Sequence, residues 1–393
     1  MTNDWHKARL GNLLRRVKEE IKLEDDTTYK EVTIRLWNKG VILRDEKQGI
    51  DIKTNRFSVR AGQLILSRID VRNGAIGIVP SELDGAVVSG EFWTYAVDKT
   101  KMDSRFLALY VSTPRFLEES NRTSSGTTHR IRAEEENLLQ IEIPLPPLTE
   151  QQRIVARVDT LARRVEEARG LRRAAVKEAE TLFYAAARRL REKLASKTRT
   201  KQLGDITTVT SGGTPDRSNP EYWDGGIIPW IKTGELYDNP IYNSEEKITE
   251  KAVQNSSARL FPIDTVLIAL YGQGQTRGRT GLLKIPATTN QGSAAVLPQP
   301  EIFESRYLQY WLQSLYYEMR EENHGGAQPN WNGGMIKQIV IALPPLADQR
   351  RIVAYLDGLQ AKVDELRRLQ AATQKEMDAL MPSILAKAFA GEL

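Results

Sequence analysis

The sequence predicts an α+β fold: two mixed strand-and-helix domains, each followed by a long helix, related by a pseudo-twofold axis. Three observations carry this. Residues 140–161 (QIEIPLPPLTEQQRIVARVDTL) return as residues 338–359 (QIVIALPPLADQRRIVAYLDGL), 198 positions later and without a gap. Continued to Leu182 and Leu380, the register keeps 22 identities in 43 positions. A period near half of 393 residues means two copies of one module, not a solenoid. Each copy opens with a stretch in which Gly and Pro clusters punctuate short β-branched runs, as strands and turns require. Each then passes a Pro-Pro pair into a segment with apolar residues every three or four positions, the pattern of a paired helix.

In chain order, the reading is a first domain over residues 1–146, a helix over 147–200, a second domain over 201–344 and a second helix over 345–393. The domains share a strand–loop–strand unit, GQLILSRIDVRNGAIGIV (62–79) and DTVLIALYGQGQTRGRTGLLKI (264–285). Setting Gly74 and Gly77 on Gly278 and Gly281 keeps the strands in step. Pro146-Pro147 and Pro344-Pro345 close the domains, because neither a helix interior nor a central strand accepts them. Thr149 and Gln152 have the spacing of a capping box, which Ala347 removes from the second copy. The seam of the first helix is Ile154, Val158, Leu161, Val165, Ala168, Ala175, Ala179 and Leu182. That of the second is Ile352, Leu356, Leu359, Val363, Leu366, Met377, Leu380 and Ile384. We expect Ile154, Val158, Leu161, Val165, Ile352, Leu356, Leu359 and Val363 to form the subunit and helix-pair interface. Arg172 and Gln370 interrupt the two seams at matched positions, so they should meet near the middle of the pair. Pro382 should kink the second helix near its end.

Composition narrows the function. The absence of cysteine excludes disulfides and Cys-ligated zinc, and His6, His129 and His324 are too scattered to suggest a metal site. No apolar run is long enough to cross a bilayer and MTNDWHKARLG is no signal peptide, so the expected location is the cytoplasm, without membrane contact. Charge is uneven: residues 147–201 carry 15 basic and 7 acidic side chains, whereas 202–341 carry 11 and 15. A solvated helix face and a basic surface beside nucleic acid both fit that excess.

No reaction centre emerges, and neither a cofactor nor a metal is expected. GQGQTRG (272–278) has phosphate-loop glycines but lies between strands and opens no helix, so it reads as a hairpin loop. Asn239-Pro240-Ile241-Tyr242 is close to an amino-methyltransferase signature but lacks its second proline, and reads as a polar turn. What remains is loop chemistry suited to reading bases. Arg bonds guanine O6 and N7 with two donors, and Gln or Asn pairs with adenine N6 and N7. The first hairpin supplies Arg68, Arg72 and Asn73, and the second Gln273, Gln275, Thr276, Arg277 and Arg279. Two further polar loops, TSSGTTHR (123–130) and HGGAQPNWN (324–332), add Thr128, Arg130, Gln328 and Asn330. These twelve residues are the expected DNA contacts. A coiled-coil adaptor joining two proteins without touching DNA also fits the seam, but leaves the matched polar loops unexplained.

The doubled Ile-x-Leu-Pro-Pro-Leu-x-Glu/Asp-Gln-x-Arg-Ile-Val run resembles the helical boundary of type I restriction–modification specificity subunits. GGTPDRSNPEYWDGGIIPWIKTGEL (212–236) is similar to the opening of their target-recognition domains, and LMPSILAKAFAGEL (380–393) to their usual ending. The likeness covers the whole chain, although the first domain lacks the Gly-Gly-Thr-Pro opening and its strands are recognisable mainly around 62–95. The resemblance implies a non-catalytic subunit. Two target-recognition domains would each read half of a split sequence in double-stranded DNA, held apart by two antiparallel coiled-coil helices. Two methyltransferase subunits would dock on it and bring S-adenosylmethionine to methylate adenine. Restriction subunits, where the system carries them, would add ATP-driven translocation and cleavage.

Overall fold

The structure is a computed structural model that describes residues 5–125, 132–272, 275–321 and 331–393. The chain packs as two units, one of Met1–Leu171 with Ala372–Leu393 and the other of Arg172–Ala371.

In the first unit a four-stranded antiparallel sheet has the order Leu14–Val17, Phe92–Val97, Leu64–Ser67, Ile76–Ile78. The central strand LILS is buried along its whole length and therefore reads as an unbroken apolar run with no alternation. A five-stranded sheet runs Glu19–Ile21, Arg56–Ser58, Val87–Val88, Thr28–Ile34, Val41–Gln48. Its long hairpin lies outside the stretch where strands were recognisable. The reason is the edge strand VILRDEKQ, half of it charged and most of it exposed, which protects a sheet edge but hides the strand signal.

The second unit repeats the first order with Val209–Ser211, Ser293–Val296, Val266–Ala269 and Thr280–Leu283. The two strand–loop–strand units thus occupy equivalent places in their sheets, as the glycine alignment requires. Asn239–Ile241 adds a fifth, parallel edge strand on Gly281–Leu283. That corrects the expected polar turn at Asn239-Pro240-Ile241-Tyr242; Pro240 is tolerated because an edge strand leaves one side unpaired. In each unit a short entry strand also pairs with the strand before the prolines, Lys7–Arg9 with Glu142–Pro144 and Thr200–Gln202 with Val340–Ala342.

One long helix, α1 (Leu148–Ala195), follows the first Pro-Pro pair. The second expected helix is not continuous. It comprises α2 (Leu346–Ala372) and α3 (Gln374–Ala390), divided at Thr373, whose φ of −95° and ψ of 6° leave the helical range. Pro382 lies inside α3. Within the first unit, Arg153 Nη2 donates to the Leu393 carbonyl at 2.8 Å and Arg169 Nη2 to the Met377 carbonyl at 3.3 Å, so these segments run antiparallel. Ile154, Val158 and Val165 are buried, as are Leu356 and Val363 in the second unit, while Leu161, Ile352 and Leu359 are half-buried.

Further along α1 the expected Ala168, Ala175 and Ala179 are half-buried, but the seam fails at Leu182. Leu182 is 64% exposed, and Phe183, Tyr184 and Ala187 are buried with Leu356 and Val363 instead. The cause is helix phase. At 3.6 residues per turn, position 183 comes five full turns after Val165, whereas a strict heptad drifts off that face. Leu380, expected on the second seam, is exposed in α3.

The expected capping box is replaced by a different device. Thr149 lies within the first turn of α1, and Gln151, fully buried, ties the junction down. Its Oε1 accepts from the Asp103 N–H at 2.8 Å, and its Nε2 donates to the carbonyls of Lys101 and Pro146, both at 2.8 Å. Gln349 repeats every bond in the second unit: from the Glu304 N–H at 2.9 Å, to the Ile302 carbonyl at 3.2 Å and to the Pro344 carbonyl at 2.9 Å. A matched ion pair sits nearby in each unit, Arg105–Asp159 at 2.6 Å and Arg306–Asp357 at 3.0 Å. Each long helix is therefore bonded, at its first turn, to a helix of its own globular part (Ser104–Val111 or Ser305–Ser314).

Candidate nucleic-acid interface

In the second unit the loop between Val266–Ala269 and Thr280–Leu283 carries Tyr271, Gln275 and Thr276 toward solvent, while Arg277 is buried. Gln275 is exposed and Thr276 half-buried. Arg279, one of the expected DNA contacts, has only 13% of its side chain exposed. Its guanidinium pairs with Asp238 at 2.7 Å, donates to the Tyr184 hydroxyl at 2.9 Å and lies 5.1 Å from the Tyr316 ring centre. Burial opposes the charge on Arg279, but Asp238 beside it prevails and holds the group firmly protonated. Burial, reinforced by the Asp238 charge, likewise keeps the Tyr184 phenol neutral well beyond its ordinary range.

Asp238 is the hub of this cluster. It sits at a left-handed φ of 64° and accepts from the Thr280 N–H at 2.7 Å, the Thr280 hydroxyl at 3.0 Å and the Tyr184 hydroxyl at 2.6 Å. Tyr184 stacks on Tyr316 with ring centres 5.0 Å apart, and the Tyr316 hydroxyl donates to the Gln275 carbonyl at 3.1 Å. Arg277 is held too, donating to the Arg320 carbonyl at 3.3 Å. Arg277 is thus directed inward, while Arg279 braces the loop, its Nη2 donating to Gln275 Oε1 at 3.4 Å and its N–H to the Thr276 carbonyl at 3.0 Å. A cavity of about 290 Å³ opens beside them, lined by Glu180, Leu236, Tyr237, Gln275, Thr276, Arg279 and Arg367. Sequence reasoning missed Asp238 and Tyr184, since nothing along the chain links positions so far apart.

In the first unit Arg72 and Asn73 occupy a single 3-10 turn, Val71–Asn73, closed by Gly74 at a φ of 75°. Asn73 Nδ2 donates to Asp70 at 3.3 Å. Arg68 lies against Trp93, 5.2 Å from its ring centre. All three are half-buried and lie between the paired strands Leu64–Ser67 and Ile76–Ile78, so the structure does bring them together. Thr128, Arg130, Gln273, Gln328 and Asn330 lie outside the described residues.

The Gly-Gly-Thr-Pro opening is a packing element. A Cβ on Gly212 would lie 2.0 Å from the Thr289 carbonyl oxygen, and one on Gly213 2.3 Å from Ser257 Oγ. Arg217 then lies against both Trp223 and Trp230, 3.9 and 4.6 Å from their ring centres. The close approaches require glycine at positions 212 and 213, and the two rings favour a cation at position 217.

The profile of the type I restriction modification DNA specificity domain matches residues 2–172 and 196–373, nearly all of both repeats. The chain belongs to this family.

As a type I specificity-domain protein it resembles the EcoR124I/EcoR124II specificity subunit of Escherichia coli, with 31% identity over 160 residues, 40% of this chain and 39% of that protein. It also resembles the MjaIX specificity subunit of Methanocaldococcus jannaschii, with 30% identity over 180 residues, 44% of this chain and 40% of the relative. These matches span about two-fifths of the curated relatives' length. Among solved structures, the HsdS subunit from Thermoanaerobacter tengcongensis is 26% identical, covering 100% of this chain and 98% of that one at a TM-score of 0.57. A chain solved in work on complex assembly and conformational transition of the type I R-M system is also 26% identical, covering 100% of both at a TM-score of 0.70. The mixed α/β fold with a long helix is therefore that of a type I specificity-domain protein. Among its described residues, no helix is long and apolar enough to cross a membrane.

Proposed function

We propose that this chain is the DNA specificity subunit of a type I restriction–modification complex and works in the cytoplasm. Residues 1–146 and 201–344 act as two target-recognition domains, each reading half of a split sequence in double-stranded DNA. The helical segments 147–200 and 345–393 pair antiparallel as a coiled coil, related by a pseudo-twofold axis, and set the distance between the half-sites. Two methyltransferase subunits dock on the chain and supply S-adenosylmethionine and catalysis; restriction subunits join where the system carries them. The chain's own part is to bind, orient and select.

The observation that carries this reading is the recurrence, in both units of a specificity-domain protein, of one sheet order, one buried glutamine bonding pattern and one polar hairpin loop. A pseudo-symmetric reader suits a two-part duplex target. At the first hairpin Arg68, Arg72 and Asn73 face the DNA, and at the second Gln275 and Thr276 do so while Arg279 braces them. Thr128, Arg130, Gln273, Gln328 and Asn330 complete the contact set. A protein-only adaptor would leave the two matched loops without a purpose.

Sequencing of methylated adenines in the host, with and without this gene, tests the reading. The expected result is a split motif with a non-specific gap that loses methylation on deletion and regains it on complementation. An unchanged methylome in a strain whose methyltransferase subunit is expressed would overturn it.

A further inference from the structure

The turn at residues 35–40 (RLWNKG) joins Thr28–Ile34 to Val41–Gln48, and its indole is 65% exposed. Trp37 adopts a left-handed φ of 62° and Asn38 one of 56°. Asparagine tolerates that conformation; a bulky tryptophan adopts it only when its surroundings impose it. They do so here. The Trp37 N–H donates to the Asn73 carbonyl at 2.7 Å, the Asn38 N–H to the Gly74 carbonyl at 3.1 Å, and Asn38 Nδ2 to the Ser112 carbonyl at 3.3 Å. The turn is thus fastened directly onto the Arg72–Asn73 turn, while its largest side chain gains little burial in return. Its charges point the same way. Arg35 and Lys39 are exposed and Arg72 is half-buried, and among the described residues none of the three forms an ion pair. By contrast Arg56 and Lys47, on the strands of the same sheet, are both paired to Glu31. A rigid aromatic tip among unpaired cations is complementary to a polyanion with apolar base and sugar surfaces.

We propose that this turn is a second DNA-contacting element of the first unit. Trp37 packs its ring against the duplex at the half-site, and Arg35, Lys39 and Arg72 take phosphates. The inference rests on the specificity-subunit reading and extends it to Arg35, Trp37 and Lys39, outside the paired hairpin loops.

The test uses the full chain assembled with its methyltransferase subunits, and duplexes carrying the methylated motif intact or with one half-site altered. Trp37→Gly removes the ring and also suits the left-handed backbone, so its melting temperature should equal or exceed the wild type's. Its affinity for the intact motif should fall about tenfold or more, within the range for loss of one aromatic contact to a base. Discrimination should relax at one half-site only, and Trp37→Phe should retain most of the binding. Arg35→Gln with Lys39→Gln should weaken all duplexes alike and flatten the salt dependence. Wild-type affinity and salt slope in all these variants would overturn the inference alone. So would a Trp37→Gly chain that loses its methyltransferase subunits while the assembled fraction binds DNA normally, because the turn would then be a protein contact. A wild-type complex that binds none of the duplexes specifically would overturn the specificity reading, and this inference with it.

Discussion

Arg172 and Gln370 hold one another by the backbone: Arg172 Nη2 donates to the Gln370 carbonyl, and Gln370 Nε2 donates to the Arg172 carbonyl at 2.9 Å. The two residues that interrupt the apolar seams therefore meet, as their matched positions predict. Side chains that bond a specific carbonyl across a helix pair define its register, because a slip of one turn leaves both amide and guanidinium without their acceptors.

An insertion at this point tests the helices as a spacer. Four residues placed after Arg173 leave Arg172 opposite Gln370 and add about 6 Å beyond it. At about 3.4 Å per base pair that is at most two pairs, and the added rotation of about 40° is close to one base-pair step. Methylome sequencing should find unchanged half-sites with a gap longer by one or two pairs. An unchanged gap in an active complex would mean that something else sets the spacing.

Gln151→Glu or Gln349→Glu should each destabilise the protein although the side chain keeps its size. A buried carboxylate cannot donate to the two carbonyls the amide serves, and its charge is costly to bury. The cost should be about 1–3 kcal/mol per stranded polar group, read as a lower urea midpoint. Equal midpoints for wild type and both variants would refute the clamp.

Asp238→Ala strands the Arg279 guanidinium in its part-buried site. Breaking such a pair costs about 3–5 kcal/mol. The same change should loosen Gln275 and Thr276, so hydrogen exchange across residues 275–283 should accelerate. If exchange there stayed at the wild-type rate, the cluster would not be the brace described above.

Glu31 supplies a pH test in the first unit. Burial opposes its ionisation, but Arg56, with its Nε at 2.8 Å, and Lys47 at 3.0 Å outweigh burial and hold the carboxyl below its usual 4.5. Because the folded-state value is depressed, the stabilisation is complete above the unfolded value of 4.5 and is lost as pH falls through the folded one. Glu31→Gln should cost about 2 kcal/mol at neutral pH, and the gap to wild type should close below about pH 4.5. A gap that stays constant down to acid pH would show that the charge contributes nothing.

Exchange of residues 202–341 for the matching segment of a relative should change one half of the methylated motif and leave the other intact. A change in both halves, in a complex that assembles and methylates, would refute independent reading by the two domains.

The repeat, the prolines that end each copy and the polar hairpin loops were all legible along the chain, because they depend on local composition and on spacing within one element. The half-buried and buried positions Ile154, Val158, Leu161 and Val165 followed from periodicity for the same reason. The expected positions Ala168, Ala175 and Ala179 are half-buried too, but at Leu182 the heptad count failed, because the phase of a 3.6-residue helix accumulates and only packing against Leu356 and Val363 shows that Phe183 and Tyr184 have come round to the buried face. Gln151 and Gln349 carried a faint signal, an identical polar residue at one repeat position, but their partners lie 45 to 50 residues upstream at Lys101, Asp103, Ile302 and Glu304.

Sequence by itself determined that the protein is two copies of a domain-plus-helix module with base-reading residue types in matched loops. Tertiary structure decided which of those residues are free to meet DNA. Arg279 and Arg72 are the same residue type in equivalent hairpins, yet one is bonded to Asp238 and Tyr184 and the other has no ion pair among the described residues. The difference arises because a long side chain is spent on whatever charge the fold brings within about 4 Å of it, and that neighbour comes from a distant part of the chain.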